Sequence, residues 1–190
     1  MGSIEQLDAK IRGLSTPRRV LLLVIIYIAA SVVIFNFGFI PAISQLSQGF
    51  DIPDNTFNYT PEYLYRVFSI YGEEGQGLYR SFLLLLDFIY PVLFAFTISI
   101  LLAYLFERLI PKARFLYLSP FVALLLDYLE NIFMVTLLLN YPAKLIALAR
   151  ITSVITTLKL ILVNLLFAIT LIALASVLMK ALYKKFGKPK

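Results

Sequence analysis

Cysteine, histidine and tryptophan are all missing from the 190 residues. Without cysteine there are no disulfides, thiolate metal sites, iron–sulfur clusters or cysteine nucleophiles. Without histidine the commonest metal ligand and the commonest general base are gone as well. Charge is also scarce: 15% of residues are charged, against about 25% in an ordinary soluble domain. What fills the space is apolar. Hydrophobic residues make up 61% of the chain and the mean hydropathy is +0.87. A water-soluble domain of this size has no single core able to hide that much apolar surface, and a disordered chain requires low hydrophobicity. The composition therefore places the chain in a membrane, with no cofactor or metal expected.

Four runs are long enough to cross a hydrocarbon layer, which takes about 20 helical residues. They cover residues 20–40, 82–106, 115–139 and 152–179. Backbone in lipid must satisfy its own hydrogen bonds, and the alternating ten-residue segments of an outer-membrane barrel are absent, so the spans are helices. The expectation is an all-α integral membrane four-helix bundle, a single domain over residues 1–190 with an outer loop at 41–81. Twelve of the 17 basic residues fall on one side: Lys10, Arg12, Arg18 and Arg19, then Arg108, Lys112 and Arg114, then Lys180, Lys184, Lys185, Lys188 and Lys190. Arg66, Arg80, Lys144 and Arg150 fall on the other, beside five acids of the first loop, Asp51, Asp54, Glu62, Glu73 and Glu74. The positive-inside rule then puts both termini in the cytoplasm, most simply in the cell membrane. Arg18-Arg19 before an apolar run has the look of a twin-arginine leader with a cleavage site near Ala29-Ala30-Ser31. The run continues to Ile40, however, which favours an uncleaved span. The net charge of +6 comes from cations flanking spans, where anionic headgroups account for them, so nucleic acid is not an expected partner.

Thr60-Pro61-Glu62 reads as a helix start, and Gly72 as its stop. Between them Leu64, Val67, Phe68 and Tyr71 share one face, predicting a short interfacial helix over the bundle. Tyr63, Tyr65, Phe68 and Tyr71 are the candidates for a lid over any pocket beneath it. Gly72-Glu73-Glu74-Gly75-Gln76-Gly77 superficially resembles a phosphate loop, but it follows a helix and carries two carboxylates, so it reads as a hinge. Asn58-Tyr59-Thr60 fits the N-glycosylation pattern, with its threonine needed for capping.

Charged residues inside a span are costly and mark function or pairing. Asp127, Glu130 and Asn131 stand at i, i+3 and i+4 on the third span, and Lys159 and Asn164 on the fourth. At about 1.5 Å per residue, Glu130 and Lys159 come to similar depth, and Asn164 to the level of Asp127. Asp87 lies on the second span, where Pro91 lacks the N–H that would bond its carbonyl. The plainest reading is helix glue, with Glu130 paired to Lys159 and the rest hydrogen-bonded across helices. Three carboxyls against one lysine leave at least one acid protonated, hydrated or ligand-paired. The candidate pocket residues are therefore Asp87, Asp127, Glu130, Asn131, Lys159 and Asn164, with Asp127 expected to be the neutral acid and the free Asp87 carbonyl turned to a headgroup. An outer-leaflet site for a lipid-like amphiphile with a cationic or hydroxyl head is the leading expectation. The alternatives are an ion- or proton-coupled carrier and a lipid-modifying enzyme using intramembrane carboxylates. No activated nucleophile with its base is visible, which leans against catalysis.

Tyr59-Thr60-Pro61-Glu62-Tyr63, followed by Arg66, Tyr71, Ser81-Phe82, Asp87 and Pro91, resembles the EXPERA group of emopamil-binding and sigma-2-receptor-like four-helix membrane proteins. The resemblance covers about 35 residues. It implies a sterol- or isoprenoid-sized pocket in which Asp87 is the one residue carried over. It does not imply isomerase activity: the members with that activity use His, Glu and Trp side chains, and this chain has neither His nor Trp. The first span here also lacks the acid that the sterol-binding members carry. Asp127-x-x-Glu130-Asn131 does not assign the chain to a characterised enzyme, and a separate small family of membrane proteins is an equal alternative. Membrane lipids are the expected partners, with nothing in the sequence to set an oligomeric state.

Overall fold

Three of the long helices begin at a proline that follows a hydroxyl residue, at Thr16-Pro17, Thr60-Pro61 and Ser119-Pro120. Proline suits the first helical position because the N–H it lacks has no partner there in any case. At Thr60 the cap is complete, with the Tyr63 N–H donating to Thr60 Oγ1 at 3.2 Å.

The computed structural model describes residues 3–110 and 114–186. Its order is α1 (Ser3–Leu14), α2 (Pro17–Asn36), α3 (Phe39–Leu46), a 3-10 turn (Pro53–Asn55), α4 (Pro61–Leu109), α5 (Arg114–Leu118), α6 (Pro120–Asn140) and α7 (Ile146–Phe186). There is no strand among the described residues. The fold is all-α, and four of its segments are long and apolar enough to cross a membrane: Pro17–Leu46, Pro61–Leu109, Leu116–Asn140 and Ile146–Phe186. Lys112, Lys188 and Lys190, counted above with the inner cations, lie outside the described residues.

Helices α4, α6 and α7 pack on one another, while α2 and α3 lie against α4. Leu21, Leu22, Ile25, Ile28, Val32 and Val33 of α2 are exposed, as are Leu165, Leu171 and Ile172 of α7. Apolar surface on that scale has no place in water and suits lipid contact. The chain is a multi-pass membrane protein.

The helices run well past the apolar runs. α7 has 41 residues, about 60 Å of helix, which is twice the depth of a hydrocarbon core. The predicted loop 41–81 is largely folded into helix. The interfacial helix and the second span form the single element α4, broken at Gly72, where φ 59° and ψ −169° interrupt helical geometry. The hinge expected over residues 72–77 narrows to that one glycine. The Phe68 carbonyl near the break accepts instead from the Gln76 side-chain amide at 2.8 Å. An added Cβ at Gly72 would meet nothing within 4 Å, so its cost is backbone strain alone. Gly72→Ala is accordingly expected to lose about 1–3 kcal/mol of stability, read from unfolding in detergent.

An N-terminal helix, α1, is an addition to the sequence reading. Its Ile11 is fully buried, and its Arg12 donates from Nε to Asp8 at 3.2 Å and to the Tyr117 hydroxyl of α5 at 3.1 Å. Two apolar cores result. One, near residues 47–60, joins Ile43, Leu64, Phe68, Tyr79, Met134 and Leu137. The other, toward α1, joins Phe94, Ile98, Leu102, Leu105, Ala123 and Leu166.

Candidate functional site

The polar residues of the three packed helices fall in the gap between those two cores. On α4, Asp87 lies between Leu83 of the first core and Phe94 of the second. On α6, Asp127, Glu130 and Asn131 lie between Ala123 and Met134. On α7, Thr152, Thr156 and Lys159 lie between Ala149 and Leu166. Spacings of three, four and seven residues keep each set on one helical face, so the three faces meet at one level.

Lys159 is the hub. Its Nζ lies 2.5 Å from Glu130 Oε2 and 3.2 Å from Asp127 Oδ1. Glu130 is 0% exposed, and its other oxygen accepts from the Thr156 hydroxyl at 2.6 Å. Buried ions persist only when paired and hydrogen-bonded in this way. The level expected of Glu130 and Lys159 thus becomes a contact. Asp127, expected to be the acid without a cation, is the second partner of the lysine.

Pro91 leaves the Asp87 carbonyl without its helical donor, as its ring requires. The freed group is not turned to a headgroup. Asn131 Nδ2 donates to it at 3.2 Å, and the Tyr128 hydroxyl donates to the next carbonyl, that of Phe88, at 2.8 Å. The Tyr128 ring stacks on Phe88 with centroids 4.9 Å apart, fixing the hydroxyl over that carbonyl. Helix α6 therefore closes the loosened turn of α4 with its own side chains.

Sequence reasoning missed Asp54, which it counts only among the five acids of the first loop. The segment Ile52-Pro53-Asp54-Asn55 folds inward as the 3-10 turn, and Asp54 is only 6% exposed. The Tyr79 hydroxyl donates to its Oδ1, and its Oδ2 has no partner among the described residues. The segment is tied to α7 by the Asn58 N–H, which donates to Thr157 Oγ1 at 2.9 Å. Burial pushes the Asp54 carboxyl above its ordinary range, against the opposing pull of the Lys159 charge and the Tyr79 hydrogen bond. Apolar Phe50 and Ile52 beside a proline were the available signal that this stretch turns toward the core.

A cavity of about 290 Å³ opens between α2, the 3-10 turn, α4, α6 and α7. Asp54, Asp87, Asp127 and Lys159 line its polar part, and Tyr27, Tyr90, Phe94 and Phe167 much of its apolar wall. Tyr27 and Tyr90 stack at 5.5 Å, with the Tyr90 hydroxyl 2.9 Å from both Tyr27 and Ser31. Like Asp54, Asp87 has a buried carboxylate oxygen, Oδ2, with no hydrogen-bond partner among the described residues. Asp87 has no cation within ion-pair distance among those residues.

Of the residues predicted for the pocket, Asp87, Asp127 and Lys159 line the cavity. Glu130 and Asn131 contact those residues without lining it. Asn164 is not brought in: it is exposed, and its amide donates back to the Leu160 carbonyl of its own helix at 2.7 Å. Depth alone placed it with Asp127, but five residues beyond Lys159 it has rotated by about 140° around the helix. The lid candidates also lie elsewhere. Tyr65, Phe68 and Tyr71 are buried in the first core, and Tyr63 donates from its hydroxyl to the Asp51 carbonyl at 3.2 Å. The cavity is lined on that side by Ile40, Ile52, Asp54 and Asn55 instead.

No group of three or more side chains with metal-ligating geometry is present among the described residues. The arrangement is suited to holding a positive charge at the end of an apolar, aromatic-walled space. The chain matches no protein-family model, no curated protein and no solved structure, so this site is defined by its own residues.

Proposed function

We propose that the protein binds a cationic amphiphile, its head at Asp87 and its apolar part along the wall formed by α2, α4 and α7. The observation that carries this reading is a mismatch of charge in a lined cavity. Three buried carboxyls, Asp54, Asp127 and Glu130, and the half-buried Asp87 surround one lysine. Among the described residues the buried carboxylate oxygens with neither a hydrogen bond nor an ion pair are those on Asp54 and Asp87, both of which line the space. An ammonium group there gains both charge pairing and contact with the Tyr27 and Tyr90 rings. The volume lies at the lower edge of the roughly 300–1,000 Å³ usual for ligand pockets, which suits a head and the first part of a chain.

The orientation in this reading has both termini in the cytoplasm and the cavity opening to the outer leaflet of the cell membrane. It is supported by the crowding of cations on the α1 side of the spans. The resemblance of residues 59–91 to the EXPERA group supports the same ligand class, including sterol- or isoprenoid-like bodies. The apolar wall suits them, although the site is small.

Native mass spectrometry of the purified chain with dodecyltrimethylammonium, dodecanol and dodecyl sulfate tests this reading. The cationic probe should be retained in preference to both others, and Asp87→Asn should weaken its binding about tenfold or more, equivalent to about 1.4 kcal/mol. Equal retention of all three probes would overturn it.

A further inference from the structure

Cation binding in this cavity has a charge problem of its own, because three carboxyls line it and a fourth, Glu130, stands directly behind them on Lys159. Glu130 and Asp127 share the Lys159 ammonium, at 2.5 and 3.2 Å. Asp54 receives the Tyr79 hydroxyl. Among the described residues Asp87 is the member of the set with neither a cation nor a hydroxyl donor on its carboxylate, and its Oδ2 is buried. The charged groups that face it are Asp54 on the turn, Asp127 on α6 and Lys159 on α7, with Asn131 contributing its amide. The titratable rings on the same cavity are Tyr27 on α2 and Tyr90 on α4. Two of the three groups around Asp87 are therefore carboxyls, and the one cation among them is already paired with Asp127 and Glu130. An ionised Asp87 in the empty cavity adds an uncompensated anion in low dielectric.

Resting on the amphiphile reading above, we propose that the cavity exchanges one proton, held on Asp87 when it is empty, for the ammonium of an amine-bearing amphiphile. The step balances. The proton leaves the Asp87 carboxyl for solvent, the ammonium takes its place beside the resulting carboxylate, and the net charge of the cluster is unchanged. No covalent bond is made, and no oxidant or further reactant is involved. The ligand class is an organic cation with an apolar tail. Inorganic cations are disfavoured because, among the described lining residues, Asp87 and one oxygen of Asp54 are the carboxylate positions free to coordinate them, Asp127 is taken by Lys159, and most of the other walls are aromatic and aliphatic. Exchange also accounts for how the site survives unoccupied: a neutral Asp87 needs no partner ion.

The test uses the full chain in nanodiscs with dodecyltrimethylammonium, a quaternary probe that has no proton of its own to release. Calorimetric titration in buffers of different ionisation enthalpy counts the protons set free. The expected result is one proton released per probe bound near neutral pH, and binding that tightens about tenfold per pH unit below the plateau, as linkage to a single proton requires. Asp87→Asn should abolish the release. The pH dependence of the wild-type chain serves as the independent readout if that variant folds poorly. Binding with no proton release and no pH dependence overturns the exchange while leaving the amphiphile reading intact. Loss of release in Asp54→Asn but not in Asp87→Asn overturns the assignment to Asp87. Absence of saturable binding at any pH overturns both the exchange and the reading beneath it.

Discussion

Lys159→Met is expected to destabilise the protein by about 3–5 kcal/mol, the range for removing one partner from a buried ion pair. The methionine matches the lysine stem in length and apolar character, so most of the loss comes from the survivors. Glu130 would be left 0% exposed with the Thr156 hydroxyl as its remaining donor, and Asp127 would lose its 3.2 Å contact. Neutralising those survivors should restore most of the loss, so that Lys159→Met with Glu130→Gln and Asp127→Asn is more stable than Lys159→Met alone. Denaturant unfolding in detergent measures both. A triple variant less stable than the single one would show that the lysine acts through packing rather than charge.

Asp54→Ala is the second large effect, about 1–3 kcal/mol, because it strips the buried Tyr79 hydroxyl of its acceptor. Asp54→Asn separates charge from hydrogen bonding, since its amide oxygen still accepts from Tyr79. Burial raises the Asp54 carboxyl above its ordinary range, so its protonated form is favoured in the folded state. Its contribution to stability is then fully present below the ordinary carboxyl pKa of about 3.9 and is lost as pH rises through the raised value. Amide exchange in residues 47–60, corrected for intrinsic rates, should show protection falling with pH over that window in the wild type and staying level in Asp54→Asn. The same fall in both would assign the pH dependence to another group.

These two residues mark how far the sequence could be read. Lys159 was legible because the cost of a charge within an apolar run forces a partner, and helical rise alone brings Glu130 to its level. Asp127, Glu130 and Asn131 were legible as one face from their spacing. Rotation about the helix was harder. Asn164 had the right depth but the wrong azimuth, and an uninterrupted apolar helix such as α7 carries little periodicity to orient it. Asp54 was hard to read for a different reason: in sequence it is one acid among several in a proline-bearing loop, and apart from the neighbouring Phe50 and Ile52 it is the packing of this segment against α4 and α7 that turns it inward. The helix α1 was missed because it is short and amphipathic, and its anchoring by Ile11 and Arg12 is a tertiary matter. Helix ends were placed by the width of the apolar runs, whereas α4 and α7 continue beyond them, α4 through Gly77 and Gly75 to the break at Gly72 and on to Pro61.

The central claim is that the carboxyl-lined cavity is an open, cation-preferring site, and the absence of cysteine makes it directly accessible to chemical labelling. Leu124 lines the cavity, so Leu124→Cys gives a single thiol within it. Methanethiosulfonate reagents bearing a trimethylammonium head and a sulfonate head should then react at different rates. The cationic reagent should be faster by about tenfold or more, as expected of a site focusing negative potential, and saturating dodecyltrimethylammonium should protect the thiol. Equal rates for the two reagents without protection, or a thiol unreactive to both, would contradict the account.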